Sequence, residues 1–306
     1  MTMIAFYTRQ MLHLRDGNAG QAAVLLLTTV SAILVLVFST IATVHLGAER
    51  IASSNAVDAI ALSAATWEAR GLNLIASLND GILQCIRAIR AICVVWAALA
   101  VAACFGAGLA AFAAYSRRAP GMIRSYWNCA KQLEEWAGKV KTLTPYLVLA
   151  ETASLSQKLK VTGILAPVDP RGPHDGKNTL ELHLKPGPPL SLTDALNPIS
   201  AIPGRIAKWK WAKDIVRAVT TVVDGALRSI LKSAGAPIRM LEPEEDFARR
   251  QKVRFSGTRS FSPLPIPYLH RSGVPRFLTD SFAEPYGGGV AEMSWKSRLT
   301  DRPETP

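Results

Sequence analysis

Residues 22–41 read Ala-Ala-Val-Leu-Leu-Leu-Thr-Thr-Val-Ser-Ala-Ile-Leu-Val-Leu-Val-Phe-Ser-Thr-Ile, and this stretch decides the fold class. It lies within 32 consecutive residues, Gly17–Ala48, that include no Asp, Glu, Lys or Arg. About 20 apolar residues cross the hydrocarbon core of a bilayer as a helix, and a helix satisfies its own backbone hydrogen bonds there. The hydroxyl groups that can bond back to the preceding turn belong to Thr28, Thr29, Ser31, Ser39 and Thr40. We therefore predict a membrane-spanning helix over about residues 20–46.

A cleaved signal peptide is the competing interpretation of this run. The apolar region of a signal peptide is about 7–15 residues long, which is shorter than the run observed here. No clear Ala-x-Ala cleavage site follows the run. The sequence favours a spanning helix.

A second uncharged run, Ala91–Ser116, has 26 residues and is bracketed by Arg87, Arg90, Arg117 and Arg118. Arginines at such positions can reach the lipid head groups. The run predicts a second spanning helix over about residues 91–115, in which Gly106 and Ala110 form a small-xxx-small face for close helix packing. Because alanine is only mildly apolar, a buried helix in a soluble bundle is the alternative.

Residues 49–90 continue in a helical pattern between the two runs. Apolar residues recur at helical spacing; they are Ala56, Ile60, Ala64, Leu72, Ile75, Leu78, Ile82 and Ile86. Asn55 and Asp58 lie one turn apart and could pair with polar groups of a neighbouring helix, although a hydrated surface explains them too. We predict a helical hairpin that links two membrane segments, with residues 1–16 as a basic flank and residues 17–118 as the membrane region.

The rest of the chain is predicted to be mixed, proline-rich and mostly helical, with a few short strands. Residues 119–160 are predicted to be helical, with an apolar stripe formed by Trp127, Leu133, Trp136, Val140, Leu143, Leu147 and Leu155. Residues 161–203 are predicted as a Pro/Gly-rich linker with one strand, Thr179–Leu184. Residues 204–235 are predicted as a basic amphipathic helix that lies on a membrane or on its own domain. Residues 236–306 contain a predicted strand, Lys252–Gly257, and a disordered tail at 301–306.

The charge of the chain points to anionic lipid. The net charge is +12, and residues 116–306 carry 29 basic and 18 acidic residues. Such a charge suits nucleic acid or lipid head groups, but no nucleic-acid-binding motif accompanies it. With membrane segments present, we expect the basic C-terminal region to contact anionic head groups, and we expect no nucleic-acid partner.

Motifs that would indicate catalysis are missing from the sequence. It contains no His-Glu-x-x-His, no Gly-x-Ser-x-Gly and no phosphate-binding loop. The four cysteines, Cys85, Cys93, Cys104 and Cys129, form no Cys-x-x-Cys pair and suggest neither a disulfide framework nor a zinc site. We predict a non-enzymatic protein without cofactor, metal or small-molecule substrate; an enzyme with its site in the basic region of residues 116–306 is an alternative.

Two segments of the sequence carry a family resemblance. Arg15-Asp-Gly-Asn-Ala-Gly-Gln21-Ala-Ala precedes the first apolar run, and Asn55-Ala-Val-Asp58-Ala-Ile-Ala-Leu-Ser-Ala64 follows it. Over about residues 15–80 this order resembles the N-terminal module of TadE/G-like proteins, a family assigned to Flp (Tad) pilus assembly. A weaker similarity to TadG-related proteins lies at residues 282–299, where Phe-Ala-Glu-Pro-Tyr is followed by Ser-Trp-Lys-Ser-Arg-Leu.

The resemblance implies a membrane component of a bacterial Flp/Tad pilus-assembly or secretion system, in the inner membrane, acting as a minor pilin-like or anchoring subunit. Its partners would be other pilus-assembly membrane proteins, contacted by helix packing. The residues expected to take part are Gln21, Asn55, Asp58, Gly106 and Ala110. An accessory subunit of a membrane transport complex is the alternative; however, transport usually places ionisable groups inside the membrane segments, and neither run contains Asp, Glu, Lys or Arg.

Overall fold

The computed structural model of the chain describes residues 18–104, 106, 108–167, 182–190, 237–245, 247, 251–259 and 277–300, together with the isolated positions 221, 225 and 229. The described residues form two helices, α1 (Asn18–Cys104) and α2 (Leu109–Leu159). Six strands follow: β1 (Val161–Pro167), β2 (Leu184–Pro189), β3 (Arg239–Pro243), β4 (Val253–Arg259), β5 (Leu278–Tyr286) and β6 (Lys296–Thr300). The prediction of a mainly helical chain with a few short strands is confirmed.

Helix α1 is a single element of 87 residues, about 130 Å long at 1.5 Å per residue. It contains no proline, and Gly71 and Gly81 do not interrupt it. The predicted helical pattern of residues 49–90 is confirmed, because seven of its eight apolar positions are buried and Leu78 is half-buried. The chain does not turn back within this stretch, so the predicted position of the hairpin is wrong.

The turn of the hairpin lies inside the second uncharged run. Helix α1 ends at Cys104 and α2 begins at Leu109, while Gly106 and Gly108 have φ angles of 79° and 89°. Glycine is the residue that adopts this left-handed region without a steric penalty. The helix predicted over residues 91–115 is therefore wrong: the run is split between two antiparallel helices.

Helix α2 confirms the predicted helical segment 119–160, but its buried face differs from the predicted stripe. The residues buried against α1 are mostly small; they are Ala119, Ile123, Trp127, Ala130, Ala137, Thr144, Val148 and Thr152. Of the larger residues in the predicted stripe, Trp136, Leu143 and Leu147 are more than half exposed. The small residues face inward because they let the two helices approach closely. A Cβ atom added to Gly71 would lie 2.5 Å from Oγ1 of Thr144.

The strands form two antiparallel sheets that cover α1. The larger sheet has the order β1-β4-β5-β6 and the smaller one pairs β2 with β3. The larger sheet packs Val161, Val253, Phe255 and Ala283 on the Ala56–Ala65 part of α1. The smaller one lies beside the middle of the hairpin, where Leu184 packs with Leu72 and Ile75.

The predicted strand Lys252–Gly257 is confirmed as β4. Residues 161–203 are predicted as a linker with one strand at Thr179–Leu184. The structure has β1 at the start of this range and β2 from Leu184 onward, while residues 168–181 and 191–203 lie outside the described residues. The predicted basic flank 1–16 and the tail 301–306 lie outside the described residues. The predicted helix 204–235 also lies outside them, apart from positions 221, 225 and 229, which are helical.

Candidate membrane and partner-binding surface

The first part of α1, residues 21–48, is an apolar helix without charged residues, and none of its residues is buried. In the 18-residue segment of highest hydropathy, with a mean of 2.5, none of the residues is buried. Leu25, Leu26 and Leu27 are consecutive and are 70%, 67% and 69% exposed. Consecutive helical residues point 100° apart, so the apolar surface surrounds the helix and is not confined to one face. Among the described residues this is the one helix long and apolar enough to cross a membrane.

Several hydroxyl groups in this helix donate to its own backbone. The hydroxyl of Thr29 donates to the carbonyl of Leu25 at 2.7 Å, that of Ser31 to Leu27 at 2.8 Å and that of Thr40 to Leu36 at 2.8 Å. Thr28 and Thr43 donate in the same way to carbonyls of the preceding turn. The back-bonding predicted for Thr28, Thr29, Ser31 and Thr40 is confirmed. These side chains therefore add no unsatisfied donor to a helix placed in hydrocarbon.

The chain changes from an uncovered to a covered helix near Ser53. Ser53, Ala56 and Val57 are buried, whereas Ile51 is 63% exposed. Asn55 is exposed and Asp58 is half-buried at this boundary. Both are therefore accessible beside the last turns of the apolar helix, where a neighbouring helix that ran along it would meet them.

The five residues predicted to take part in helix packing occupy three separate places. Gln21 is exposed at the start of α1, about 50 Å from Asn55 along the helix. Gly106 and Ala110 lie at the far end of the hairpin, about 70 Å beyond Asp58. Gly106 belongs to the turn and Ala110 to the first turn of α2, so they share no helical face. The small-xxx-small face predicted there is wrong, and the contact of these residues with a partner stays a prediction.

The N-terminal and C-terminal segments that carry the family resemblance are in contact. The Nδ2 atom of Asn73 donates to the carbonyl of Trp295 at 3.0 Å, and the backbone N–H of Trp295 donates to Oδ1 of Asn73 at 3.0 Å. The hydroxyls of Thr66 and Ser297 lie 2.8 Å apart. The sequence reasoning did not identify Asn73, because an isolated Asn on a helix carries no signal of a partner 222 residues away.

Strands β5 and β6 also share an ionic cluster around one buried carboxylate. Glu284 is 6% exposed. Its Oε1 accepts hydrogen bonds from Nε and Nη2 of Arg298 at 2.9 and 2.6 Å, and its Oε2 lies 3.3 Å from Nζ of Lys252. Burial of one carboxylate between two cations fits a structural role, since a buried charge needs partners. The cluster joins β6 to the sheet.

One buried carboxylic acid on α1 is incompletely hydrogen-bonded. Glu68 is 2% exposed, and burial raises its pKa to about 8, an effect that a hydrogen bond with Gln251 partly opposes. Its Oε2 has no hydrogen-bond partner among the described residues. A carboxyl with a perturbed pKa is one sign of a catalytic site, but the side chain that bonds to Glu68, that of Gln251, is not titratable. In the described part of the chain, no group of three or more His, Cys, Asp or Glu residues could hold a metal ion.

Comparison of the chain with models of protein families, with curated proteins and with solved structures gives no match. The functional assignment therefore depends on the sequence and on the geometry described above.

Proposed function

We propose that this chain is a non-enzymatic, membrane-anchored subunit of a bacterial Flp/Tad-type pilus-assembly or secretion system. The observation that carries the proposal is the division of α1 into two parts. Residues 21–48 are apolar on all sides and none of them is buried, whereas the continuation of the same helix packs with α2 and the two sheets into a folded unit, which is called the head below. A subunit of this shape places its head at a fixed distance from the membrane and offers the apolar part to lipid or to neighbouring helices.

The resemblance to TadE/G-like proteins is the reason for proposing a pilus-assembly or secretion system. Both segments of the resemblance belong to one folded unit, since the helix of the N-terminal segment binds the strands of the C-terminal one through Asn73 and Trp295. Members of that family carry one membrane helix with the remainder of the chain on the outer side. One candidate span in α1 fits this arrangement.

The charges beside the span favour an outer position for the head. Within 16 residues of the uncharged run, Arg9 and Arg15 precede it and Arg50 alone follows it. Basic residues are retained on the cytoplasmic side. We therefore propose an inner-membrane protein with its N-terminus in the cytoplasm and its head outside.

Alkaline carbonate extraction of membranes that contain the full chain tests the anchor. We expect the protein to stay with the membrane, and reporter domains fused at the C-terminus to be active on the outer side. Release into the soluble fraction would overturn the proposal of a membrane subunit.

Co-purification with the membrane proteins of the pilus-assembly system tests the partner. We expect N55L and D58L to reduce recovery of these proteins, since both residues are accessible at the end of the apolar helix. N128L is the matched control, because Asn128 is exposed on α2. Equal recovery with all three variants would argue against helix packing at this site.

A further inference from the structure

The far end of the α1–α2 hairpin is an apolar tip, and arginines follow it on both helices. On α1 the uncharged part runs from Ala91 to Cys104, and on α2 it runs from Leu109 to Ser116. At the tip, Leu109 is 61% exposed, and Val94 and Val95 are 40% and 45% exposed further down. The alanines that are exposed on the outside of the tip are Ala98, Ala110, Ala111, Ala113 and Ala114.

The inward faces of the two helices hold the tip together. Trp96 is 7% exposed and its Nε1 donates to the hydroxyl of Ser116 at 2.8 Å. Phe112 and Tyr115 pack against the same buried cluster, which includes Trp96 and Ile92. The tip is therefore a preformed structure, and the apolar residues on its outer surface are exposed.

The charges beside the tip are of one sign. Between Gly81 and Leu133 the sequence has no Asp or Glu and six basic residues. Five of these, Arg87, Arg90, Arg117, Arg118 and Arg124, are exposed arginines. An apolar surface beside exposed cations is complementary to the acyl chains and phosphates of an anionic leaflet.

The dimensions fit insertion into one leaflet and not a crossing. Arg117 lies eight residues after Leu109, which places it about 12 Å below the tip. Arg90 and Arg124 follow at about 21 Å and 22 Å. A hydrocarbon core is about 30 Å thick, so one leaflet is about 15 Å. A tip that enters by about 12 Å brings Arg117 and Arg118 to the head groups.

The tip is far from the first membrane segment. Val94 follows Leu46 by 48 residues in the same helix, which is about 70 Å and more than twice the thickness of the hydrocarbon core. A continuous α1 that crosses one bilayer near its start cannot place its far end in that bilayer.

From these observations we infer that the hairpin tip is a lipid-binding element that inserts into one leaflet of a second, anionic bilayer, facing the one that α1 crosses. The inference rests on the anchoring part of the proposed function and is independent of the pilus assignment. The protein would link two membrane surfaces about 70 Å apart.

Full-length protein in neutral lipid nanodiscs, mixed with separate vesicles, tests the inference. We expect the discs to float with vesicles that contain phosphatidylglycerol and to stay behind with vesicles of phosphatidylcholine alone. Higher salt should weaken the association, because it screens the arginines. No flotation with anionic vesicles, or equal flotation with both kinds, would overturn the inference.

Variants at the tip are compared with matched variants elsewhere in the chain, which shows whether a loss of vesicle binding is specific to the tip. R117Q/R118Q should lower the vesicle-bound fraction about tenfold or more, while K158Q/K160Q, which also removes two exposed cations, should leave it unchanged. L109D should abolish binding and L147D should not, although both leucines are more than half exposed. Loss of binding in both members of either pair would overturn the assignment to the tip.

A fluorescent label locates the contact within the hairpin. Cys104 and Cys129 are both exposed, and Cys129 lies below the arginines, about 30 Å from the tip. We expect a polarity-sensitive label on Cys104, with C129S, to shift to the blue on anionic vesicles, and the same label on Cys129, with C104S, not to shift. A shift of the Cys104 label that depends on protein concentration without vesicles would show contact with a second copy and would overturn the inference.

The label on Cys104 also shows whether the vesicles are bound by the tip or by residues 21–48 after they have left the discs. If the chain leaves the discs and enters the vesicles through residues 21–48, flotation occurs but the Cys104 label stays unshifted. That result would contradict both the stable anchor and the tip. If the pilus assignment were wrong, the expected flotation and fluorescence results would stay the same.

Discussion

Asn73 of helix α1 and Trp295, next to strand β6, exchange two hydrogen bonds of 3.0 Å between the amide side chain of one and the backbone of the other. The two residues are 222 positions apart in the chain. The pair fixes the C-terminal segment on the helix, and Phe247 packs on the ring of Trp295 with the ring centroids 5.1 Å apart.

N73A should destabilise the head by about 1–3 kcal/mol, because it removes both hydrogen bonds and leaves two backbone groups of Trp295 without a partner. Thermal unfolding in detergent, followed by circular dichroism, measures the change. N128A is the control, since Asn128 is exposed, and it should have little effect. Equal melting temperatures for the two variants would show that the Asn73–Trp295 pair does not stabilise the head.

The stability of the head should fall as the pH rises from about 4.5 to about 8. Burial raises the pKa of Glu68 to about 8 in the folded chain from 4.5. Below the lower value the carboxyl is protonated in both states; between the two values the unfolded chain loses the proton and the folded chain keeps it, which favours unfolding. Above pH 8 the loss is complete.

E68Q should remove this dependence on Glu68 and raise the melting temperature at pH 8 by roughly 5 °C or more. Melting temperatures between pH 5 and pH 9 for the original chain and the variant measure the effect. E135Q is the control, because Glu135 is exposed and pairs with Lys139 on the surface. Parallel pH curves for the original chain and E68Q would contradict the assignment.

G71A should destabilise the hairpin by about 1–3 kcal/mol, although alanine favours a helix over glycine by about 1 kcal/mol. The added methyl group would meet the side chain of Thr144 at 2.5–2.6 Å. G138A is the matched control: nothing lies within 4 Å of a Cβ atom added there, so the helix preference alone should stabilise α2. The free energy of unfolding in denaturant measures both, and stabilisation by G71A would show that the helices can separate at no cost.

Cys85 should react slowly with alkylating reagents in the folded chain. Burial raises the pKa of its thiol from 9.0 to about 11, and contact with Cys129 adds to the rise. At a given pH the thiolate fraction is then about 100-fold lower. Mass spectrometry after iodoacetamide treatment at pH 8 should find Cys104 modified early and Cys85 only after unfolding. Equal early modification of both would mean that the hairpin opens readily.

The sequence alone predicted the helix and the strand that depend on a local pattern of side chains. The apolar positions between Ala56 and Ile86 repeat at helical spacing, and the structure buries seven of the eight. Alternation of side chains predicted the strand at Lys252–Gly257. Both patterns arise from the geometry of a few successive residues, so they can be read without knowledge of the partners.

The buried face of α2 shows where local reasoning failed. The predicted stripe selected the large residues Trp136, Leu143 and Leu147, which are exposed, whereas Ala130 and Ala137 are buried. Hydrophobicity predicts that large apolar residues are inside, but close contact with α1 favours small residues at some positions, as it does at Thr144 opposite Gly71. That requirement depends on the shape of the opposite helix.

By itself the sequence determined that about residues 20–46 form an apolar helix, because they lie within 32 successive uncharged residues that leave the helix no charged face. Only the tertiary structure decided that the second uncharged run is the turn of a hairpin, and that it lies at the other end of the same helix. Two glycines with positive φ reverse the chain there, and the apolar faces of α1 and α2 then bury each other. Hydropathy measures how strongly a segment avoids water, but the contacts made by its neighbours decide what covers it.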